Sequence, residues 1–130
     1  MQLLYKPPRL SKATIKLANA SPYGRFRVGA IVANKNKILS MGFNQKKTHR
    51  IQKAYCRFER LEPWMHAEVH AISLADKNEL IGSDIHVMRV LKDGTLGNSR
   101  PCSGCLIALH DFGIKRTFFW QDGEYFCEVI

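Results

Sequence analysis

Acidic residues are nearly missing from the first sixty positions: Glu59 stands alone there against 14 Lys/Arg, a local balance of +13. Residues 61–130 reverse the sign with 6 Lys/Arg and 10 acids, so the chain carries +9 in all. Beyond its effect on solubility, such an asymmetry predicts a basic face that attracts phosphates, on a nucleotide or on a nucleic acid. Long apolar runs are missing too. None approaches the roughly 20 residues of a membrane helix, and Met1-Gln2-Leu3-Leu4-Tyr5-Lys6-Pro7-Pro8 lacks the apolar core of a signal peptide. The expectation is a cytoplasmic protein with no membrane partner. Repeats and low-complexity tracts are absent, which argues against a solenoid or a linker. With 130 residues, 45% of them hydrophobic and 24% charged, the chain is expected to form one domain over 1–130.

Cysteine is sparse, with four residues. Two disulfides would suit a secreted protein, but a C-x-x-C pair in a cytosolic chain points to metal or redox chemistry. Cys56 and Cys127 have no motif around them and read as ordinary, partly buried thiols.

Leu10, Ile15, Leu17 and Ala18 predict a short amphipathic helix with Ser11 as its cap, ended by Ser21-Pro22-Tyr23-Gly24. Residues 26–33 and 38–43 predict a hairpin around Asn34-Lys35-Asn36-Lys37. Residues 44–65 are basic through Lys46, Lys47, Arg50, Lys53, Arg57 and Arg60, show no clean period, and read as a functional or mobile connection. There follow a helix beginning near His66, a strand over 84–91 and a polar loop over 92–100. A helix opened by Pro101 and closed at Gly113 comes next, then a hairpin around Asp122-Gly123. That order implies one mixed sheet with helices on both faces.

Chemistry concentrates in His66-Ala67-Glu68 and Pro101-Cys102-Ser103-Gly104-Cys105. Cys102 and Cys105 are three apart at a helix start, so both sulfurs emerge on one side of its first turn. Helix N-terminus and metal both favour the thiolate, the form that binds zinc. With His66 they supply three ligands for one zinc and leave a fourth position for water, the mark of a catalytic rather than a structural zinc. Glu68, two residues from His66, is placed to move protons beside it. A closed alternative exists: His70 lies four residues from His66, and a Cys2His2 zinc would hold the fold without chemistry. The zinc-protease pattern H-E-x-x-H fails, because Ala67 stands where its glutamate belongs. A thioredoxin-like role for Cys102 and Cys105 explains neither His66 nor Glu68.

The pairing H-x-E…P-C-x-x-C is a signature of zinc-dependent nucleobase deaminases, and the chain resembles the cytidine deaminase-like superfamily over nearly its whole length. Val28-Gly29-Ala30-Ile31-Val32 and Met41-Gly42-Phe43-Asn44 look like its first two strands, and Lys47-Thr48-His49 adds a likeness to small phage-type stand-alone members. The resemblance implies a three-layer α/β/α fold with a mixed five-stranded sheet and an antiparallel C-terminal hairpin. It implies one Zn2+ per chain, Glu68 as proton shuttle, the Ala67 N–H on the base carbonyl, Asn44 on the sugar, and a homo-oligomer. Histidine as first ligand looks like the deoxycytidylate, tRNA-adenosine and polynucleotide branches, whereas the Asp122-Gly123 turn looks like the free-cytidine branch. Relatives often run from the third strand almost directly into Pro-Cys, so Leu91 to Arg100 is an insertion at the pocket rim.

The substrate implied is cytosine in a free (deoxy)cytidine nucleoside or nucleotide, with Lys46, Lys47, Arg50 and Arg100 as candidates for a 5′-phosphate. One alternative is a polynucleotide cytidine or adenosine deaminase, with Phe43, Tyr55, Phe58 or Trp64 stacking on flanking bases. A second is a non-catalytic structural zinc module.

Overall fold

Ala30, Ile31 and Val32 are consecutive and fully buried, a pattern a strand satisfies only with a packed layer on each of its faces. The computed structural model describes residues 1–23, 26–35, 37–56 and 64–130. Arg57, Phe58, Glu59 and Arg60 of the basic segment, and Gly24 and Asn36 of two expected turns, lie outside the described residues. In chain order the elements are β1 Gln2–Leu4, α1 Ser11–Asn19, β2 Arg27–Asn34, β3 Lys37–Phe43, α2 Arg50–Tyr55, α3 Ala67–Leu74 and α4 Lys77–Leu80. Then come β4 Asp84–Val90, β5 Leu96–Gly97, α5 Ser103–Asp111, β6 Arg116–Gln121 and β7 Glu124–Val129.

The strands form one mixed sheet in the order β1-β7-β6-β4-β2-β3, with β5 paired to β4. β4 and β6 are parallel; the other pairings are antiparallel. α1 backs onto β2 through Thr14 and Ala18 at Gly29, while α3 lies on β3 at Gly42 on the opposite face. On that second face Ala30, Val32, Ile85 and Val87 of the sheet pack with Ala67, Ala71, Ile72, Ala108 and Leu109 of α3 and α5. The result is the expected three-layer α/β/α fold.

Differences from the sequence reading are local. The sheet has seven strands among the described residues, because β1 pairs with β7 and β5 with β4. Two and three residues carry no readable period. α2 forms inside the segment expected to be irregular; six residues are too few for an amphipathic pattern. The His49 ring starts α2 by accepting from the Ile51 N–H at 3.1 Å. α4 escaped notice for the same reason of length. Ser11 does not cap α1: it is the first helical residue, after Leu10, and no side chain caps that end. The final hairpin turns at Asp122 and Gly123 as expected, both with positive φ.

Two contacts carry consequences for stability. A Cβ on Gly42 would stand 2.5 Å from the Ala71 nitrogen and 2.8 Å from the Ala67 oxygen. Glycine here lets α3, the helix that follows His66, lie directly on the sheet. We predict that Gly42→Ala lowers the unfolding free energy by about 1–3 kcal/mol in chemical denaturation; an unchanged midpoint would contradict this packing account.

On the α1 side of the sheet the His86 ring stacks on Phe118, with centroids 4.6 Å apart and planes 7° from parallel. Burial holds its pKa down to about 4; Asp84 opposes the shift, while Arg9 and Arg116 add to it. The unfolded chain, with His near 6.5, therefore binds more protons between those two values. The stability present above pH 6.5 is lost as pH falls toward 4. His86→Phe keeps the stack and removes the titration, so between pH 7 and pH 5 the wild type should lose roughly 2 kcal/mol more than the variant. Equal losses would count against it.

Candidate metal centre and cavity

Two helix beginnings meet at one point. His66 is the extended residue before α3, and Cys102 is the extended residue before α5. Pro101 thus precedes the cap, where its missing N–H leaves no gap in the helix. The Cys102 Sγ accepts the Cys105 N–H at 3.4 Å. His66 Nδ1 lies 3.3 Å from the Cys105 Sγ and 3.6 Å from the Cys102 Sγ. The geometry brings together the three residues proposed from sequence.

A fourth residue joins them. The Cys56 sulfur, the His66 ring nitrogen and the sulfurs of Cys102 and Cys105 all lie within 4.8 Å of one another. Cys56 is buried, at the end of α2, beside Met65, Val69 and Cys105. In the sequence Cys56 has the features of an ordinary, partly buried thiol; the structure places it among the donors instead. No motif marks it, and its place depends on α2, which has no sequence pattern. His70 is not in the cluster: its Nδ1 accepts the Phe43 N–H at 3.1 Å, with Gln45 Nε2 at 3.2 Å. The Cys2His2 arrangement that His70 would have completed is not formed.

The donors fit zinc by their chemistry, since thiolate and imidazole select it over the oxygen-seeking cations. Cys102 is the thiolate of the cysteine pair: the Cys105 thiol, then the His66 ring and the Cys105 N–H, hold it far below the ordinary thiol range against the cost of burial. The Cys105 thiol, hydrogen-bonded to Cys102 and Cys56 and buried, moves upward. Glu68, in the first turn of α3, is also buried. Desolvation raises its pKa, opposed by His66 and a backbone N–H.

These groups open onto a cavity of about 690 Å³ whose lining includes His66, Ala67, Glu68, Cys102, Asn44 and Trp64. The insertion forms its opposite wall. β5 folds back on Arg89 and Val90, and Ser99 is locked by bonds to the Val87 oxygen at 2.8 Å and to the Trp120 backbone at 2.8 and 2.9 Å. Asn98, Ser99 and Arg100 thereby line the cavity.

Asn44 lines it as well, but its amide is engaged: Oδ1 accepts from Ser21 Oγ at 2.9 Å and the Val28 N–H at 3.0 Å, and Nδ2 donates to the Phe26 oxygen. Arg100 is paired bidentately with Glu128 at 2.9 and 3.0 Å. Lys46, Lys47 and Arg50 are exposed and outside the lining, although Lys46 Nζ stands 5.6 Å from the Trp64 ring. Arg89, which sequence reasoning missed, lines the cavity with its guanidinium 5.2 Å from the Phe26 ring, and its Nε has no partner among the described residues. A lone arginine inside a strand carries no signal in a sequence.

Soft donors at two helix ends, with a buried carboxyl and a cavity beside them, define an α/β protein with a site for one zinc ion. The chain belongs to the family described as cytidine and deoxycytidylate deaminase zinc-binding region, which matches residues 6–121. Among solved structures it is similar to the dCMP deaminase of cyanophage S-TIM5 in apo form, at 20% identity and TM-score 0.55, covering 86% of this chain and 82% of that one. The same phage enzyme in complex with dCMP and dUMP gives 19% identity and TM-score 0.56, over 87% of this chain and 82% of that one. One form of Acinetobacter baumannii RibD gives 20% identity and TM-score 0.50, over 82% of this chain and 25% of that one. No curated protein matches. No helix among the described residues is long and apolar enough to cross a membrane.

The His66 N–H donates to the buried Gln52 Oε1 at 2.9 Å, tying α2 to the metal centre. Gln52→Leu removes that acceptor and should weaken zinc binding by about tenfold or more in competition with a chelator. An unchanged affinity would show that the bond does not orient the ligand.

Proposed function

We propose that the protein hydrolyses cytosine to uracil in a free (deoxy)cytidine nucleoside or nucleotide, releasing ammonia. The observation that carries this reading is Glu68, buried at the cavity beside the donors His66, Cys102 and Cys105. Zinc held by those three residues supplies Lewis-acid chemistry, making water a nucleophile near neutral pH. Glu68 takes one proton of the attacking water and passes it to the ring nitrogen, then takes the second from the hydroxyl now on the attacked carbon and gives it to the departing amine as the C–N bond breaks and the carbonyl forms. The Ala67 N–H belongs to the first turn of α3, where no carbonyl of the helix accepts it, and Ala67 lines the cavity. That donor is available to the base carbonyl.

Sugar and phosphate fall toward the rim. Asn44 retains one amide hydrogen for a sugar hydroxyl. Arg89 has the freer guanidinium, whereas Arg100 must share with Glu128. Lys46, Lys47 and Arg50 act from outside the lining by raising the local positive potential. The dCMP and dUMP complex of the phage enzyme agrees with a nucleotide of this size.

A polynucleotide substrate is the second reading, favoured by Phe26 and Trp64, which are 54% and 38% exposed at the cavity and could stack on flanking bases. Salt separates the two, since several phosphate contacts make affinity fall steeply with salt and one makes it fall gently. We expect turnover on at least one of cytidine, deoxycytidine and their phosphates, with a shallow salt slope. Glu68→Gln should cut kcat at least about a hundredfold with zinc still at one per chain. Zinc-loaded wild type that deaminates no cytosine or adenine substrate would sink both readings.

A further inference from the structure

Cys56 reaches the donors from inside the fold. It is 6% exposed and does not line the cavity, whereas His66 and Cys102 do. Tetrahedral zinc, with Zn–S near 2.3 Å and Zn–N near 2.0–2.1 Å, needs donor separations of roughly 3.5–3.8 Å. Four donor atoms already within 4.8 Å of one another meet that with movements of about an ångström. Gly104, between the two motif cysteines, keeps the approach open. A Cβ there would stand 2.6 Å from the Cys56 sulfur and 2.5 Å from the Tyr55 carbonyl oxygen. Any side chain at that position would force Cys56 and the end of α2 away from the centre.

We propose that Cys56 is a fourth zinc ligand, so that the substrate-free centre is a closed set of three thiolates and one imidazole. This is a donor set of structural zinc sites, with no position left for a further ligand. On the deaminase reading, Cys56 would have to leave that set before a ligand from the cavity could join it. The Cys56 thiol gives up one proton on binding the metal and regains one on leaving it. The proposal rests on the zinc assignment that the deaminase reading also uses, and its ligand count does not depend on turnover.

X-ray absorption at the zinc edge of the substrate-free holoenzyme tests it directly. Wild type should show three sulfurs at about 2.3 Å and one nitrogen; Cys56→Ser and Cys56→Ala should each show two sulfurs and lose zinc to a chelator at least about tenfold more readily. Two sulfurs in the wild type overturn the proposal, whatever the turnover. That measurement needs no variant, so it stands even if a substitution at Cys56 prevents folding. Three sulfurs with no turnover on any substrate would uphold this proposal and overturn the deaminase one.

Discussion

Everything at the centre depends on two helix N-termini being held a few ångströms apart. A helix start carries N–H groups without partners and the positive end of the helix dipole, so two such ends facing each other repel unless something anionic lies between them. Here the Cys102 thiolate lies there, with the Cys105 sulfur beside it. The same positive ends that favour thiolate over thiol prepare the sulfurs for a cation. The mutual approach is enforced sterically rather than electrostatically. α3 rests on β3 where Gly42 has no side chain, and α5 rests on the end of α2 where Gly104 has none. Replace either glycine and the donors move apart before any ligand is changed.

Both helix starts were legible in the sequence because each is announced locally. His66-Ala67-Glu68 precedes an apolar run, and Pro-Cys-x-x-Cys opens another, so their roles follow from spacing within one turn. The hairpins were legible by the same local logic, from Asp122-Gly123 and from the polar turn Asn34-Lys35-Asn36-Lys37 between two apolar runs. Cys56 was not legible. Its partners lie 10, 46 and 49 residues away along the chain, and α2, which carries it, is too short to show a period. Long-range placement also removed His70, a residue with ideal helical spacing from His66. Its ring nitrogen instead receives the Phe43 N–H, tying α3 to the end of β3.

The insertion over 91–100 shows how a segment without pattern becomes structural. Its residues read as a polar loop, yet β5 lies beside Arg89 and Val90, further along β4 than the Asp84–His86 stretch that pairs with β6. Unpaired backbone at that place would be costly beside a buried cavity wall. Ser99 completes the arrangement by bonding across to both β4 and β6, through Val87 and Trp120. Ser99 therefore fixes this part of the cavity wall to the sheet itself, with Asn98 and Arg100 on either side of it.

Charge acts there at longer range than the sequence suggested. Of the basic residues expected to touch a phosphate, Lys46, Lys47 and Arg50 stand outside the cavity, and Arg100 already bonds Glu128 twice. A surplus of +13 in the first sixty residues still sets a positive field toward any anion that approaches. Such steering raises encounter rates and fades with salt. Within the lining, Arg89 is held over Phe26, and its buried Nε has no partner among the described residues. A buried donor without a partner is costly, so the cavity wall is incompletely satisfied at this guanidinium. The charge surplus outside the cavity and the arginine inside it are thus separate features of this chain, which is why its composition points to a positive field without saying which atom lines the cavity.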